Sequence, residues 1–536
     1  MVGAPGAQRV EPEWDEPTGT RLDLWWGRLL ALPGARRIWY WGGPIAVTLL
    51  AAVLRLVRLG DPRSLVFDET FYVKDAWTLL NLGYEASWPD NADKAFTAGN
   101  VDIFTKDGSY VAHPPLGKWM IALGLRVFGA EDTIGWRIST AIVGILAVFL
   151  LVIIARRLFN STLLATIAGG LFAIDGHAIV LSRTALLDNF VMIFTLFGFG
   201  AILLDRAQSV GRLSLWLARR ADAGRGIDWG PALWWRPWLI TAGILFGAAT
   251  AVKWSGLYFL AAFAVYSLVV DACARRRAGI PFWISGTIFK QGPVTFLLTI
   301  PLAIVTYLAS WTGWFVTREG YYRNWAELPG NAATGSFAWV PHSVQSFLHY
   351  QASVYDFNVN EQRAHPFAAN PYSWLFLLRP TAFSYVGQMQ GQSGCSFSSC
   401  VQYVTSIANP IFWWAATAAL FYLVYRLVRH REWRVGLILM GMVAGYLPWL
   451  LYSSRTVFQF YAIIFEPYMI LGLVFVIGLI IGNRGDPRSR RTRGIGVVAM
   501  FLLLVVIVSA FFYPVWTGMQ VPEIFARLHY WLPGWI

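Results

Sequence analysis

Charge is scarce in this sequence: only 14% of its 536 residues are Asp, Glu, Lys or Arg. A soluble chain of that length divides into domains with charged surfaces, so an ordinary soluble protein is excluded. No Gly-rich phosphate loop, Walker motif or nucleophile elbow occurs, which removes support for a nucleotide-driven pump. A clear internal repeat is also missing, and that counts against the many secondary transporters built from repeats. The first 38 residues have neither the apolar core nor the small-residue cleavage site of a signal peptide. They are Pro/Gly-rich, carry Arg9, Arg21, Arg28, Arg36 and Arg37, and read as a cytosolic, partly disordered tail. Cysteine is limited to three residues: Cys273 beside Arg275-Arg276-Arg277, and Cys395 and Cys400 close together.

Apolar and aromatic residues fill the space that charge leaves. The chain is 56% hydrophobic, with 28 Trp, 22 Tyr and 36 Phe. Its apolar runs reach membrane length, on the order of 17–25 residues. Spans fit near 39–57, 133–155, 162–180, 187–204, 237–253, 255–270, 291–314, 409–428, 435–452, 457–481 and 494–513. The expected fold class is therefore an all-α polytopic membrane protein with about eleven transmembrane helices, comprising residues 39–536 after the tail. A net charge of +13 raises the question of nucleic acid, but the basic residues cluster between apolar runs. Arg156-Arg157, six Arg within 205–236, Arg275 to Arg277 with Lys290, Arg426 to Arg434 and Arg484 to Arg493 follow the positive-inside rule. By contrast, Asp61 to Asp132 holds 11 Asp/Glu against 6 Lys/Arg. That loop, about 58–132, is expected outside, with the N-terminus cytoplasmic and the C-terminus outside.

The acidic loop opens on Phe67-Asp68-Glu69-Thr70-Phe71-Tyr72. Two adjacent carboxylates at a membrane exit are expensive to desolvate and call for a reason. Helix capping by Asp68 is the plainer one and catalysis the sharper one. His113-Pro114-Pro115-Leu116-Gly117-Lys118 then leads into an apolar run too short to span, suited to a helix on the membrane surface. A second outside loop, 315–408, is rich in rings and amides, which suits sugar or peptide recognition as well as an interfacial aromatic belt. The outside histidines, His113, His342, His349 and His365, match no compact metal-ligand spacing, so no metal is assigned. Arg137, Arg183, Asp188 and Arg455 all stand at membrane borders on the Asp68 side. An arginine fork there can hold a lipid phosphate, although snorkelling or an Arg183–Asp188 pair would account for each one singly.

Several motifs occur in order: Phe67-Asp68-Glu69-Thr70, His113 to Lys118, Ser182-Arg183-Thr184-Ala185-Leu186-Leu187-Asp188, Lys253-Trp254-Ser255-Gly256-Leu257-Tyr258, His365-Pro366, and Ser373-Trp374 through Arg379-Pro380. As an ordered set they closely resemble the actinobacterial-type protein O-mannosyltransferases over nearly the whole chain after the tail. The resemblance implies a GT-C glycosyltransferase fold, a polyprenyl-phosphate-mannose donor, and Ser/Thr of polypeptides emerging from the Sec translocon as acceptors, in the cell membrane. It places the acidic pair, Asp68 and Glu69, in the active site and makes Arg137 functionally important. His113, Lys118, Arg183, Asp188, His365, Arg379 and Arg455 join Arg137 as candidates for binding donor phosphate or substrate. Loop 315–408 is too short for the β-trefoil MIR domain of eukaryotic members. A hydroxyl attacking an anomeric carbon needs a base, while a phosphate leaving group needs cations more than an acid. Asp68 is expected to be that base and Glu69 its support, with the reverse order open, in an inverting single displacement. No cofactor is indicated, although a divalent cation is left open. Transfer to a lipid or cell-wall glycan is the alternative within the same fold, and a transporter is the alternative outside it. Cys395 and Cys400, with four residues between them on the oxidising side, are candidates for a disulfide, with two free thiols as the other outcome.

Overall fold

The computed structural model describes residues 18–535, and the first seventeen residues of the expected tail lie outside that range. Within it, the tail expectation needs correction. Arg21–Ala31 forms a helix, α1, that opens on a reciprocal capping box between Thr20 and Asp23. Asp23 also receives both arms of Arg491, at 2.6 and 2.5 Å, which fastens α1 to the start of the helix Arg488–Trp516. Polar composition suggested disorder, whereas a distant arginine supplies the order.

A bundle of apolar helices forms the body. Among the described residues, eight helices are long and apolar enough to cross a membrane: α2 (Pro33–Leu56), α6 (Thr133–Phe159), α9 (Asp188–Asp222), α11 (Gly256–Arg277), Trp283–Ser310, Pro410–His430, Trp433–Leu450 and Arg488–Trp516. The pair α7 (Thr162–Ile174) and α8 (Gly176–Ser182), bent by 63°, makes a ninth if it is one span. Two shorter apolar helices, α10 (Pro237–Val252) and Glu466–Ile481, have 16 residues each. The eleven expected spans are reached only if both of these cross as well.

Several helices start where a side chain satisfies free backbone N–H groups. Asp132 caps α6, Ser161 caps α7, Asp175 caps α8 and Asn409 caps Pro410–His430. One end of the bundle gathers the connections 57–68, 183–187, 253–255 and 451–458. It also carries α3 (Glu69–Leu82), α4 (Ala92–Thr97) and α5 (Leu116–Phe128). On α5, Leu123, Val127 and Phe128 are exposed, as suits a helix lying on a membrane surface. Against α6 it packs closely, because a Cβ on Gly124 would collide with the Gly135 carbonyl. Segment 315–408 adds the helix His342–Asn360 and the strands β1 (Ala382–Met389) and β2 (Ser399–Thr405), which form an antiparallel sheet with β3 (Gln520–Pro522) of the C-terminal segment in the order β1-β2-β3. Cys395 and Cys400 are bridged near the tip of the β1–β2 hairpin.

Candidate active site

Between α2 and α3 the chain has no regular partner for its carbonyls, and two buried arginines provide one. Arg183 donates to the carbonyls of Arg55, Val57 and Arg58 at 2.9, 2.7 and 2.7 Å. Arg137 donates to those of Pro62 and Ser64 at 2.9 Å each and reaches Leu59 at 3.4 Å. Its other arm is a bidentate pair with Glu69, Nε and a terminal nitrogen each 2.8 Å from a carboxylate oxygen. Both side chains are fully buried. Glu69 also accepts from the N–H groups of Val66 (3.0 Å) and Ala185 (2.9 Å). Its carboxylate is therefore fully engaged.

Asp68 is placed differently. Phe67 before it holds a left-handed φ of +48°, a conformation that costs a bulky residue roughly 1–3 kcal/mol. Packing on the ring offsets that strain: Phe383, Phe458, Phe460 and His365 surround it at centroid distances of 5.2, 5.4, 5.6 and 5.7 Å. The Asp68 carboxylate is half-buried and meets one weak donor, the Tyr72 hydroxyl at 3.4 Å. Burial pushes its pKa up to about 6; Lys253 and Tyr72 oppose the rise and Asp188 adds to it. A carboxylate with few partners and a pKa near working pH is suited to taking a proton.

Beside it opens a cavity of about 90 Å³, lined by His113, Asp188, Lys253, Tyr258, Asn358, Tyr452, Arg455 and Tyr461 among others. The Tyr72 ring, whose hydroxyl reaches Asp68, lies 6.2 Å from that of His113. Lys253 sits in the extended break between α10 and α11, 2.7 Å from Asp188 and 4.9 Å from the Tyr461 ring centroid. Arg455 donates to Asn358 at 3.0 Å, and its Nε has no protein partner. Burial, with Lys253, Lys118 and Arg455 nearby, holds His113 well below the usual imidazole range, so it is neutral. The cavity thus has cations on its wall, and Asp68 lies within electrostatic reach of one of them, Lys253.

Of the candidates read from sequence, Asp68, His113, Asp188 and Arg455 come together here. Others do not. Arg137 has its donors engaged by Glu69 and the loop, so direct contact with donor phosphate gives way to holding the acidic segment. Arg183 does not pair with Asp188, because the carbonyls of 55–58 hold it and Lys253 takes Asp188. Lys118 is buried between Glu85 (2.9 Å) and Asp75 (3.1 Å) and braces the first loop. Arg379 donates to Pro366 (2.7 Å) and Gly534 (3.0 Å), joining the second loop to the C-terminal segment. His365 packs on Phe67 and accepts from the Phe367 N–H at 3.1 Å. Lys253, Tyr72, Tyr258 and Asn358 were missed as site residues. Lys253 had a signal, a lone cation between two apolar runs; Tyr72 and Tyr258 stood in the quoted motifs without a role, and Asn358 had no signal. Among the described residues Asp175, His177 and Glu466 have the grouping of metal ligands. Asp175, however, accepts from the N–H groups of His177 and Asn409, while the His177 ring nitrogens meet Glu466 (2.8 Å) and the Phe460 carbonyl (3.1 Å). These bonds brace the α7–α8 break.

Comparison with known proteins agrees with the resemblance. Residues 45–218 match the model of the dolichyl-phosphate-mannose-protein mannosyltransferase family. Residues 343–535 match that of the C-terminal four-transmembrane region of protein O-mannosyltransferases. The polyprenol-phosphate-mannose–protein mannosyltransferase of Mycolicibacterium smegmatis (strain MKD8) is 35% identical over 506 residues, covering 92% of this chain and 93% of that protein. Its counterpart in Corynebacterium glutamicum is 31% identical over 497 residues, covering 91% and 92%. In fold, the chain resembles the S. cerevisiae protein O-mannosyltransferase Pmt1-Pmt2 complex bound to the sugar donor. There the TM-score is 0.68 at 15% identity, with 97% of this chain and 95% of that one covered.

Proposed function

The chain belongs to the polyprenol-phosphate-mannose–protein mannosyltransferases, and on that premise we propose that it transfers mannose to Ser/Thr hydroxyls with Asp68 as the general base. The acceptor hydroxyl gives its proton to Asp68 while its oxygen bonds to the anomeric carbon. The bond from that carbon to phosphate breaks on the opposite face, and polyprenyl phosphate leaves with the electron pair. Lys253 and Arg455 meet the charge that develops on the phosphate. Inversion turns a β-linked donor into an α-mannoside.

The observation that carries this assignment is the contrast within the acidic pair. Glu69 is consumed by Arg137 and two N–H groups, whereas Asp68 has a single weak donor and lies within electrostatic reach of Lys253 and Asp188, which line the cavity. Two cations near the phosphate make a divalent ion unnecessary, and EDTA should leave transfer intact. The site faces the outside of the cell membrane, where polypeptides leaving the Sec translocon present their side chains.

The test is mannosyl transfer from polyprenyl-phosphate-mannose to a Ser/Thr peptide by purified Asp68→Asn enzyme, with donor binding measured alongside. Loss of the base should lower the rate on the order of 10²–10⁴-fold and spare donor binding. A variant within a few-fold of wild type sinks the assignment. Transfer to lipid or glycan acceptors in place of peptides would move the chain to the other acceptor class.

A further inference from the structure

β1 is an edge strand, and beyond an irregularity in its pairing between Ala382 and Ser384 it has little protection. Among the described residues it pairs with β2 alone, from Ala382↔Thr405 to Met389↔Ser399. Natural edges are kept short or carry charge or proline, because unpaired N–H and C=O groups invite another strand. The opposite edge, β3, follows that rule, with three residues ending in Pro522. β1 has eight residues, Ala-Phe-Ser-Tyr-Val-Gly-Gln-Met, without a charge or a proline. Tyr385, Val386 and Met389 are exposed on it.

Its position gives the open edge a use. The ring of Phe383, at the start of β1, stacks on that of Phe67 at 5.2 Å, and Phe67 immediately precedes Asp68. The cavity with Lys253 and Arg455 lies between the start of α11, the helix His342–Asn360 and residues 449–461, whereas the ring of Phe67 leads from Asp68 onto β1. From Phe383 to Met389 the strand extends about 20 Å, room for about six residues of an extended chain.

We propose that the free edge of β1 receives the acceptor polypeptide as an added strand, which delivers its Ser or Thr to Asp68. This rests on the protein-acceptor reading above. Main-chain hydrogen bonds would supply affinity without reading side chains, so many sequences qualify provided that they are unfolded. Tyr385, Val386 and Met389 would add apolar contact along the bound segment.

The experiment uses the full chain in lipid nanodiscs, polyprenyl-phosphate-mannose, and Ser/Thr peptides N-methylated at one backbone position at a time. N-methylation removes a donor without touching the hydroxyl. Successive N–H groups of a strand point to opposite sides. Methylation at alternate positions on one flank should therefore raise KM about fivefold to tenfold, the positions between having little effect. A diazirine placed about three residues from the Ser should label β1. If unmethylated peptides are mannosylated normally but methylation shows no alternation and the label falls elsewhere, the edge proposal is overturned while the function stands. Cross-linking of β1 to a second copy of the chain, or its burial in the lipid interface, would also overturn it. If no Ser/Thr peptide is mannosylated, the protein-acceptor reading itself fails.

Discussion

Asp68 and Glu69 are nearly the same chemically and stand one peptide bond apart, yet their surroundings separate them. Adjacent positions at a helix start point in different directions, and here one direction meets a buried guanidinium and the other a cavity. The raised pKa of Asp68 has a measurable consequence. A base must be ionised to act, so kcat/KM should be low below pH 6, rise as pH passes through about 6, and level above it. An acid limb near pH 4 would mean either that Asp68 titrates as an ordinary carboxylate or that another group is the base. Arg137 makes a separate case. Arg137→Ala leaves the Glu69 carboxylate buried without its counter-ion, a change worth about 3–5 kcal/mol, and both thermal stability and transfer should collapse. Arg137→Lys keeps the charge but loses the fork. It should fold, bind donor with unchanged Kd, and transfer slowly, because Asp68 is no longer held in place. A weakened donor Kd in that variant would return Arg137 to the phosphate.

At the scale of elements, the site is built where helices stop. Lys253 lies in the break between α10 and α11, Asp188 begins α9, Asp68 precedes α3, and Arg455 follows Trp433–Leu450. Backbone that leaves a helix needs new partners. Much of the side-chain chemistry here answers that need, through the fork of Arg183 around 55–58 and that of Arg137 around 59–64. The hairpin is a different kind of element, held by its ladder and by the Cys395–Cys400 bridge. In denatured, unreduced protein, thiol labelling should find one reactive cysteine, Cys273, and three after reduction. Three before reduction would exclude the bridge.

At the scale of the whole molecule, the arrangement of charge gives the bundle two unlike ends. The buried Arg236, paired with Asp205 and Asp271, and the arginine-rich connections lie at the end away from Asp68. A topology reporter at Arg220 should read as cytoplasmic and one fused after Ile536 as outside. Both on one face would mean that one of the two short apolar helices fails to cross, and the site would then need a new compartment.

The sequence by itself determined the class of fold, the order of most spans, the acidic pair and the family, because these rest on local signals. Apolar run length, loop charge and contiguous motifs survive without knowledge of what touches what. It left open which of Asp68 and Glu69 is free, what Arg137, Arg183 and Lys118 hold, and that Lys253 belongs to the site. Those answers are pairings across long stretches of chain: Glu69 with Arg137, 68 residues apart, and Asp188 with Lys253, 65 residues apart. A charge in a one-dimensional sequence has many candidate partners. In a low-dielectric bundle, where a lone charge is costly to keep, only the packed geometry chooses among them.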